Sequence, residues 1–198
     1  MISVYKIKPK FQQLLMPILK GLHKIGVSAN QITISSILFS LIIGVSFWFA
    51  GSNKYLFLAL PIGLFIRMTL NALDGMMART YNQQTKTGEI LNEIGDVISD
   101  LFIFFPLLIF EKDNLYLIVA FLCLSIVNEF AGILGKVVSN NRQYDGPMGK
   151  SDRALIIGLY GLLSFFSIGF GNYSSWIFSG IIILILISTI TRIKKALK

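Results

Sequence analysis

Charge is scarce in this chain, and acids are scarcer than bases. Only 14% of the 198 residues are charged, 54% are hydrophobic and the mean hydropathy is +0.70. A soluble domain of that balance would leave too much apolar surface in water, so the membrane class is expected instead. The single cysteine, Cys123, excludes a disulfide framework within the chain and reads as a small buried hydrophobe. The single histidine, His23, has no Cys or His near it to share a zinc ion and reads as solvated or facing lipid headgroups. There is no Walker motif, nucleophile elbow, zinc-ligand spacing or internal repeat, and no secretory h-region before the first long apolar run. Asn172-Tyr173-Ser174 fits a glycosylation acceptor, a pattern short enough to arise by chance.

What is present is apolar sequence in long runs. A hydrocarbon core about 30 Å thick is crossed by about 20 helical residues. Six runs meet that length: 31–50, 54–78, 89–110, 115–138, 152–170 and 173–191. The expected fold is an all-α integral membrane protein. Six transmembrane helices (residues 29–198) follow an N-terminal cytoplasmic amphipathic segment (residues 1–28). Within that segment Phe11, Leu14, Leu15, Ile18, Leu19 and Leu22 recur on one helical face, with Lys10, Lys20 and Lys24 at its margin. This pattern predicts an interfacial helix over 8–25, with Pro17 as a point of bending.

Orientation follows the placement of Lys and Arg. With six spans, 15 of the 18 basic residues fall on one side, in the N-terminal segment, the loops after the second and fourth runs, and the C-terminal tail. Both termini are therefore expected in the cytoplasm of a bacterial inner membrane. The net charge of +8 reflects this asymmetry and an attraction to anionic headgroups, and no nucleic-acid partner is expected. Tyr55, Phe57, Tyr116, Tyr173 and Trp176, near span ends, read as an interfacial aromatic belt.

The informative residues are the polar ones at membrane depth, which are costly there and mark function by default. Arg67, Asn71, Asp74 and Ala78 form one helical stripe in the second run. Gly88, Asn92, Asp96 and Asp100 form another in the third. The short connection at 80–87 makes the two runs antiparallel neighbours, so the stripes can face each other near the cytoplasmic boundary. Asp carboxylates and Asn carbonyls are hard oxygen donors, suited to Mg²⁺, Mn²⁺ or Ca²⁺ rather than zinc. Their bland alternative is a set of interhelical hydrogen bonds. Arg67 and Glu129, both deep, suggest a mutual pair. In the loop at 144–154, Asp145-Gly146-Pro147 reads as a turn and Ser151 as a helix cap.

The segment Asn71–Asp96 resembles the signature of the CDP-alcohol phosphatidyltransferases, D-x2-D-G-x2-A-R-x8-G-x3-D-x3-D. Asp74, Gly75, Ala78, Arg79, Gly88 and Asp96 match it with every spacing kept. The resemblance implies transfer of a substituted phosphate from a CDP-linked donor, CDP-diacylglycerol above all, to an alcohol acceptor, with release of CMP. It implies divalent metals (Mg²⁺ or Mn²⁺) on the acidic positions, the last of them, Asp96, also serving as general base. It implies that Gly75, Ala78 and Gly88 let the nucleotide approach, that Arg79 pairs with phosphate, and that Lys150 and Arg153 meet an acceptor or lipid phosphate. A homodimer among membrane lipids is implied as well.

The sequence departs from the signature at Asn71 and Asn92, which stand where acids are expected. Three readings follow. The amides ligate metal with less charge; or the site shifts by a turn and Asp100, with Glu89 and Glu93 as alternatives, supplies a carboxylate; or the site is inactive. An active variant is favoured, with Asn71, Asp74, Asn92 and Asp96 around the metal and Asp100 in a further metal or supporting role. Transfer of a CDP-linked head group to a lipid alcohol, and a non-catalytic lipid-binding protein, are the alternatives. A small carrier or channel is a distant further reading.

Overall fold

A computed structural model of the chain describes residues 7–198. Eight α-helices carry them: α1 (Ile7–Lys24), α2 (Ala29–Trp48), α3 (Ala59–Thr80), α4 (Lys86–Phe104), α5 (Leu107–Phe110), α6 (Leu115–Ser139), α7 (Lys150–Phe165) and α8 (Ser174–Ala196). Short 3₁₀ turns lead into α3, α6 and α8, and there is no strand among the described residues. The start of α2 is fixed locally. Ser28 accepts from the Gln31 amide, and the Gln31 side chain accepts from the Ser28 amide, closing a capping box.

Four helical stretches are long and apolar enough to cross a membrane: Ala29–Trp48, Lys54–Thr80, Lys112–Ser139 and Gly171–Ala196. The other two expected spans appear as helices, one with too many charges and one too short to be counted with them. α4 ends at Phe104, just ahead of Pro106, and carries Lys86, Glu89, Glu93, Asp96 and Asp100; α7 has only 16 residues. Those α4 charges set it apart from the four apolar stretches, and they are also the residues of interest. The helix over 8–25 is present as α1, and Pro17 lies inside it. Leu15 and Leu19 bury against Ile32 of α2 and Leu73, Met76 and Met77 of α3, whereas Leu14 and Ile18 stay exposed.

The main core joins α2 through α8. Ile43, Phe47, Leu60, Leu64, Phe104, Phe121, Ile157 and Phe178 are buried in it. Phe47 stacks on Phe110 with ring centroids 5.0 Å apart and meets Phe57 and Tyr160 edge-on or tilted. Tyr55, Tyr116, Tyr173 and Trp176 are exposed at the helix starts on this same end. Cys123, expected inside, is exposed on α6. On a lipid-facing helix the outside is as apolar as the inside, so a small hydrophobe gains nothing by facing in.

α2 is the central helix of the site half. It packs on both α3 and α4, α3 also packs on α7, and α6 pairs with α8. The face it turns inward is small and polar: Ala29, Thr33, Ser36, Ser40 and Gly44 are all buried. At Gly44 an added Cβ would run into the backbone carbonyl of Phe102 on α4, and at Gly95 it would come within 2.6 Å of Ile37. Bare backbone is what lets α2 and α4 approach. The Gly44→Val variant should therefore be destabilised by about 1–3 kcal/mol through overpacking, read as a lower unfolding temperature in detergent. Gly21→Ala on α1, where nothing lies within 4 Å, should not lower it.

Candidate active site

α3 and α4 are antiparallel, as the short connection predicts, but α2 holds them apart, and they meet chiefly through polar side chains. Three side chain–side chain links cross the gap, and Arg67 also donates to the backbone carbonyl of Asp96 at 3.3 Å. Asn92 donates its amide to Asp74 Oδ2 at 3.2 Å, Asn71 donates to Asp96 Oδ1 at 3.3 Å, and Arg67 donates to Asp100 Oδ1 at 2.7 Å. Each link pairs one residue of the α3 stripe with one of the α4 stripe. α2 closes the seam from its small face: the Thr33 hydroxyl donates to Asp74 Oδ2 at 3.0 Å, and the Ser36 hydroxyl to Asn71 Oδ1 at 2.7 Å.

The seam opens into a cleft of about 650 Å³. Asn71, Asp74, Gly75, Ala78, Arg79, Gly88 and Asn92 line it, so most of the signature forms its walls. Arg79 folds over Gly75, whose Cβ, if present, would lie 3.2 Å from the guanidinium; it is exposed and has no carboxylate partner among the described residues. At Gly88 a Cβ would sit 2.6 Å from Asn30 Oδ1. Glycine is therefore needed where α2 crosses the start of α4. Asp74 is buried, yet no cation among the described residues pairs with it.

Asp96, Asp100, Lys150 and Arg153 lie behind that wall. Lys150 makes an ion pair with Asp96. Asp100 is held on both oxygens, by Arg67 at 2.7 Å and by Arg153 at 2.9 Å, and is not open to the cleft. Arg153 is 1% exposed and also reaches Glu129 Oε1 at 2.9 Å. Neither is free in this arrangement for a metal or a phosphate. Arg67 and Glu129 do not pair with each other: Arg67 takes Asp100, and Glu129 takes Arg153, Arg142 at 3.0 Å and Arg192 at 3.6 Å. Two guanidinium groups reach Glu129 from α7 and α8, a convergence that spacing along one helix cannot reveal. Ser151 does not cap α7. Gly149 occupies that position, and its N–H donates to Asp152 Oδ2 at 2.9 Å.

The loop before α7 adds Arg142, which pairs with Glu93 at 2.8 Å. Burial works against its charge, but Glu93, then Tyr144 and Glu129, carry its pKa above the ordinary value. Gly146, at φ +102°, takes the turn expected after Asp145 and brings the backbone against Ser188 of α8. His23 stacks on Tyr81 with ring centroids 3.5 Å apart.

Among the described residues no cluster of three or more Asp, Glu, His and Cys has a metal-binding arrangement. The donor set at the seam is mixed instead. Asp74, Asp96, Asn71 and Asn92 carry only oxygen ligands suited to a hard cation, and both amides currently turn their N–H groups to the carboxylates. Rotating an amide exchanges N–H for carbonyl oxygen in nearly the same volume. The set fits Mg²⁺ or Mn²⁺ with fewer charges than four acids would bring.

Residues 26–191 match the CDP-alcohol phosphatidyltransferase family. The chain belongs to that family. As a CDP-alcohol phosphatidyltransferase it is a transferase of the membrane lipid class. It is 51% identical over 160 residues to the inner membrane protein YnbA of Escherichia coli K12, covering 81% of this chain and 79% of that one. It is 37% identical over 101 residues to archaetidylinositol phosphate synthase of Pyrococcus horikoshii, half of each chain. The fold matches the phosphatidylinositol phosphate synthase PgsA1 of Mycobacterium tuberculosis with CDP-DAG bound at a TM-score of 0.77 and 20% identity, over 93% of this chain and 94% of that one. The same protein in complex with manganese and citrate gives 0.75 at 21% identity, over 92% and 88%. Four apolar helices and the likeness to an inner membrane protein make this an integral membrane protein.

Sequence reasoning overlooked Thr33 and Ser36. Their signal was there: with Ala29, Ser40 and Gly44 they form one small, polar stripe on an otherwise apolar helix. The ion network yields a test. Asp100→Asn leaves Arg67, buried to 1% exposure, without its carboxylate, and an uncompensated buried charge costs about 3–5 kcal/mol. Thermal unfolding in detergent should show that loss, and the double variant Arg67→Met/Asp100→Asn should recover much of it.

Proposed function

We propose that this transferase moves the phosphatidyl group of CDP-diacylglycerol to the hydroxyl of an alcohol, releasing CMP. The observation that carries the reading is the cleft wall itself. One face of α3 presents Asp74, a bare Gly75, Ala78 and an exposed Arg79 to a space large enough for a nucleotide, with Gly88 and Asn92 across from them. The CDP-DAG-bound relative of the same fold supports the choice of donor.

Asp74, Asp96, Asn71 and Asn92 would hold a divalent cation. When bound, it would neutralise the pyrophosphate and stabilise the departing CMP. The nucleotide approaches α3 at Gly75 and Ala78, which add no bulk of their own once Arg79 moves aside. Arg79 swings from Gly75 to the pyrophosphate oxygens and forms charge-assisted hydrogen bonds. Asp96 accepts the proton of the acceptor hydroxyl as its oxygen attacks the phosphatidyl phosphorus. The bond from that phosphorus to the CMP oxygen breaks, and CMP leaves with the electron pair. Lys150, ion-paired to Asp96, orients the carboxylate before the acceptor arrives.

In this reading α4 and α7 complete a six-helix bundle, with their charged faces turned inward and away from lipid. Both termini and the cleft face the cytoplasm, since Arg79, Lys86, Lys136 and the basic tail gather at that end. The exposed Leu14 and Ile18 of α1 lie against the headgroup boundary. The active form is a homodimer.

CMP release from CDP-diacylglycerol by purified protein with Mn²⁺ and a panel of alcohols tests the reading. Metal- and acceptor-dependent release, abolished in Asp96→Asn, is expected. In Arg79→Ala the KM for the donor should rise about 10- to 100-fold, the equivalent of one charge-assisted hydrogen-bond pair. Release from CDP-linked head groups but not from CDP-diacylglycerol would overturn the choice of donor.

A further inference from the structure

We infer that the end of the bundle opposite the catalytic cleft holds a second binding site, for an alkylammonium group. The site shares no residue with the cleft and does not depend on the roles proposed above. The cleft is built around the end of α3 and the start of α4. The second cavity, of about 400 Å³, lies where α3 starts and where α5 and α7 end. Phe57 comes from the 3₁₀ turn ahead of α3, Phe110 and Glu111 from the end of α5, Tyr160 from α7, and Phe170 from the loop between α7 and α8. That loop reverses through left-handed backbone at Ser167, Gly169 and Gly171, with φ of +60°, +54° and +50°. The reversal turns Phe170 into the core.

Glu111 is the residue that asks for a ligand. It is only 8% exposed, yet the groups that reach it are neutral. The Asn114 amide donates to Oε2 at 3.1 Å, the Ser174 hydroxyl donates to the same oxygen, and the Tyr160 hydroxyl stands beside the carboxylate. No Lys, Arg or His among the described residues makes an ion pair with it. Neutral donors orient a buried carboxylate but leave its charge uncompensated. The other two charges that line the cavity, Lys112 and Asp113, are both exposed and of opposite sign, so the net charge of the lining is that of the buried acid. Lys54, at the same end, lies over the Phe165 ring instead, 5.7 Å from its centroid. The walls decide which cation fits. Phe57 and Phe110 have ring centroids 5.2 Å apart, and Tyr160 and Phe170 meet edge-on at 5.0 Å. Aromatic rings attract organic cations, and cages of them recognise ammonium groups. A hard metal ion asks instead for about six or more oxygen ligands, and only one buried carboxylate lines this cavity. Tyr55, Tyr116, Tyr173 and Trp176, exposed at this end, mark headgroup level. The ammonium therefore belongs either to an amine-bearing lipid headgroup or to a free amine in the water beyond.

The test uses the full-length protein in detergent and two sets of probes. Tetramethylammonium and ethanolamine are titrated by calorimetry, against sodium chloride of the same ionic strength. Phosphatidylethanolamine and phosphatidylglycerol are offered as an equal mixture, and the lipid retained is read by native mass spectrometry. Saturable binding of a free cation, preferential retention of phosphatidylethanolamine, or both are expected. Retention of the lipid alone identifies a headgroup as the source, and binding of the free cations without lipid preference identifies a soluble amine. Glu111→Gln keeps a hydrogen-bonding group of nearly the same volume and removes the charge, so the affinity or the retention ratio should fall at least about tenfold. Phe57→Leu should lower it severalfold by removing one ring, and it decides the matter if Glu111→Gln does not fold. Lys112→Gln should leave binding unchanged or strengthen it. Undiminished binding in either Glu111→Gln or Phe57→Leu would overturn the inference. So would the absence of binding by every amine probe, including the case in which Mg²⁺ or Ca²⁺ binds through Glu111 instead.

Discussion

The site half of the molecule depends on one constraint: α3 and α4 carry their charges inward and must be balanced across a gap. Asp100 is the hinge of that balance. It takes Arg67 from α3 on one oxygen and Arg153 from α7 on the other. Arg153 passes the connection to Glu129 on α6, which gathers Arg142 and Arg192. Five helices and a loop are thereby tied by ionic contacts in the middle of an apolar bundle. Such a network is weak evidence for stability, because desolvation offsets most of the attraction. Its effect is on geometry. It fixes the spacing between α3 and α4, and that spacing leaves the cleft.

The cleft and the network divide the signature residues between two jobs. Asp74, Gly75, Ala78, Arg79, Gly88 and Asn92 face the open space. Asp96 stands at the boundary, joined to Asn71 on one side and Lys150 on the other. Asp100, although on the same helical stripe, belongs wholly to the ionic side. Replacing two acids by Asn71 and Asn92 fits this division. Each amide donates to the carboxylate opposite, so the seam closes with hydrogen bonds where two further acids would have repelled their neighbours.

Much of this was legible in the sequence. Apolar runs gave the helices to within a few residues, and the helical period put Arg67, Asn71 and Asp74 on one face and Asn92, Asp96 and Asp100 on another. The pairing across the gap followed from the short connection. What could not be read was which cation would meet which acid. Arg67 and Glu129 looked like partners because both are deep, but depth does not give rotation about the helix axis, and Asp100 lies nearer to Arg67. Arg142 and Arg192 looked like loop and tail charges obeying the positive-inside bias, yet the turn at Gly146 and the packing of α6 on α8 bring both to Glu129. Helix ends were less legible: Ser151 was expected to cap α7, and Gly149 takes that place.

The central claim is that Asp74, alone among the buried acids of the seam in having no cationic partner among the described residues, is where a divalent cation binds. Mn²⁺ binding followed by electron paramagnetic resonance tests it directly. The purified protein should bind Mn²⁺ in the presence of CDP-diacylglycerol, and Asp74→Asn should lose that binding while keeping its unfolding temperature within a few degrees. Undiminished Mn²⁺ binding in Asp74→Asn would contradict the account.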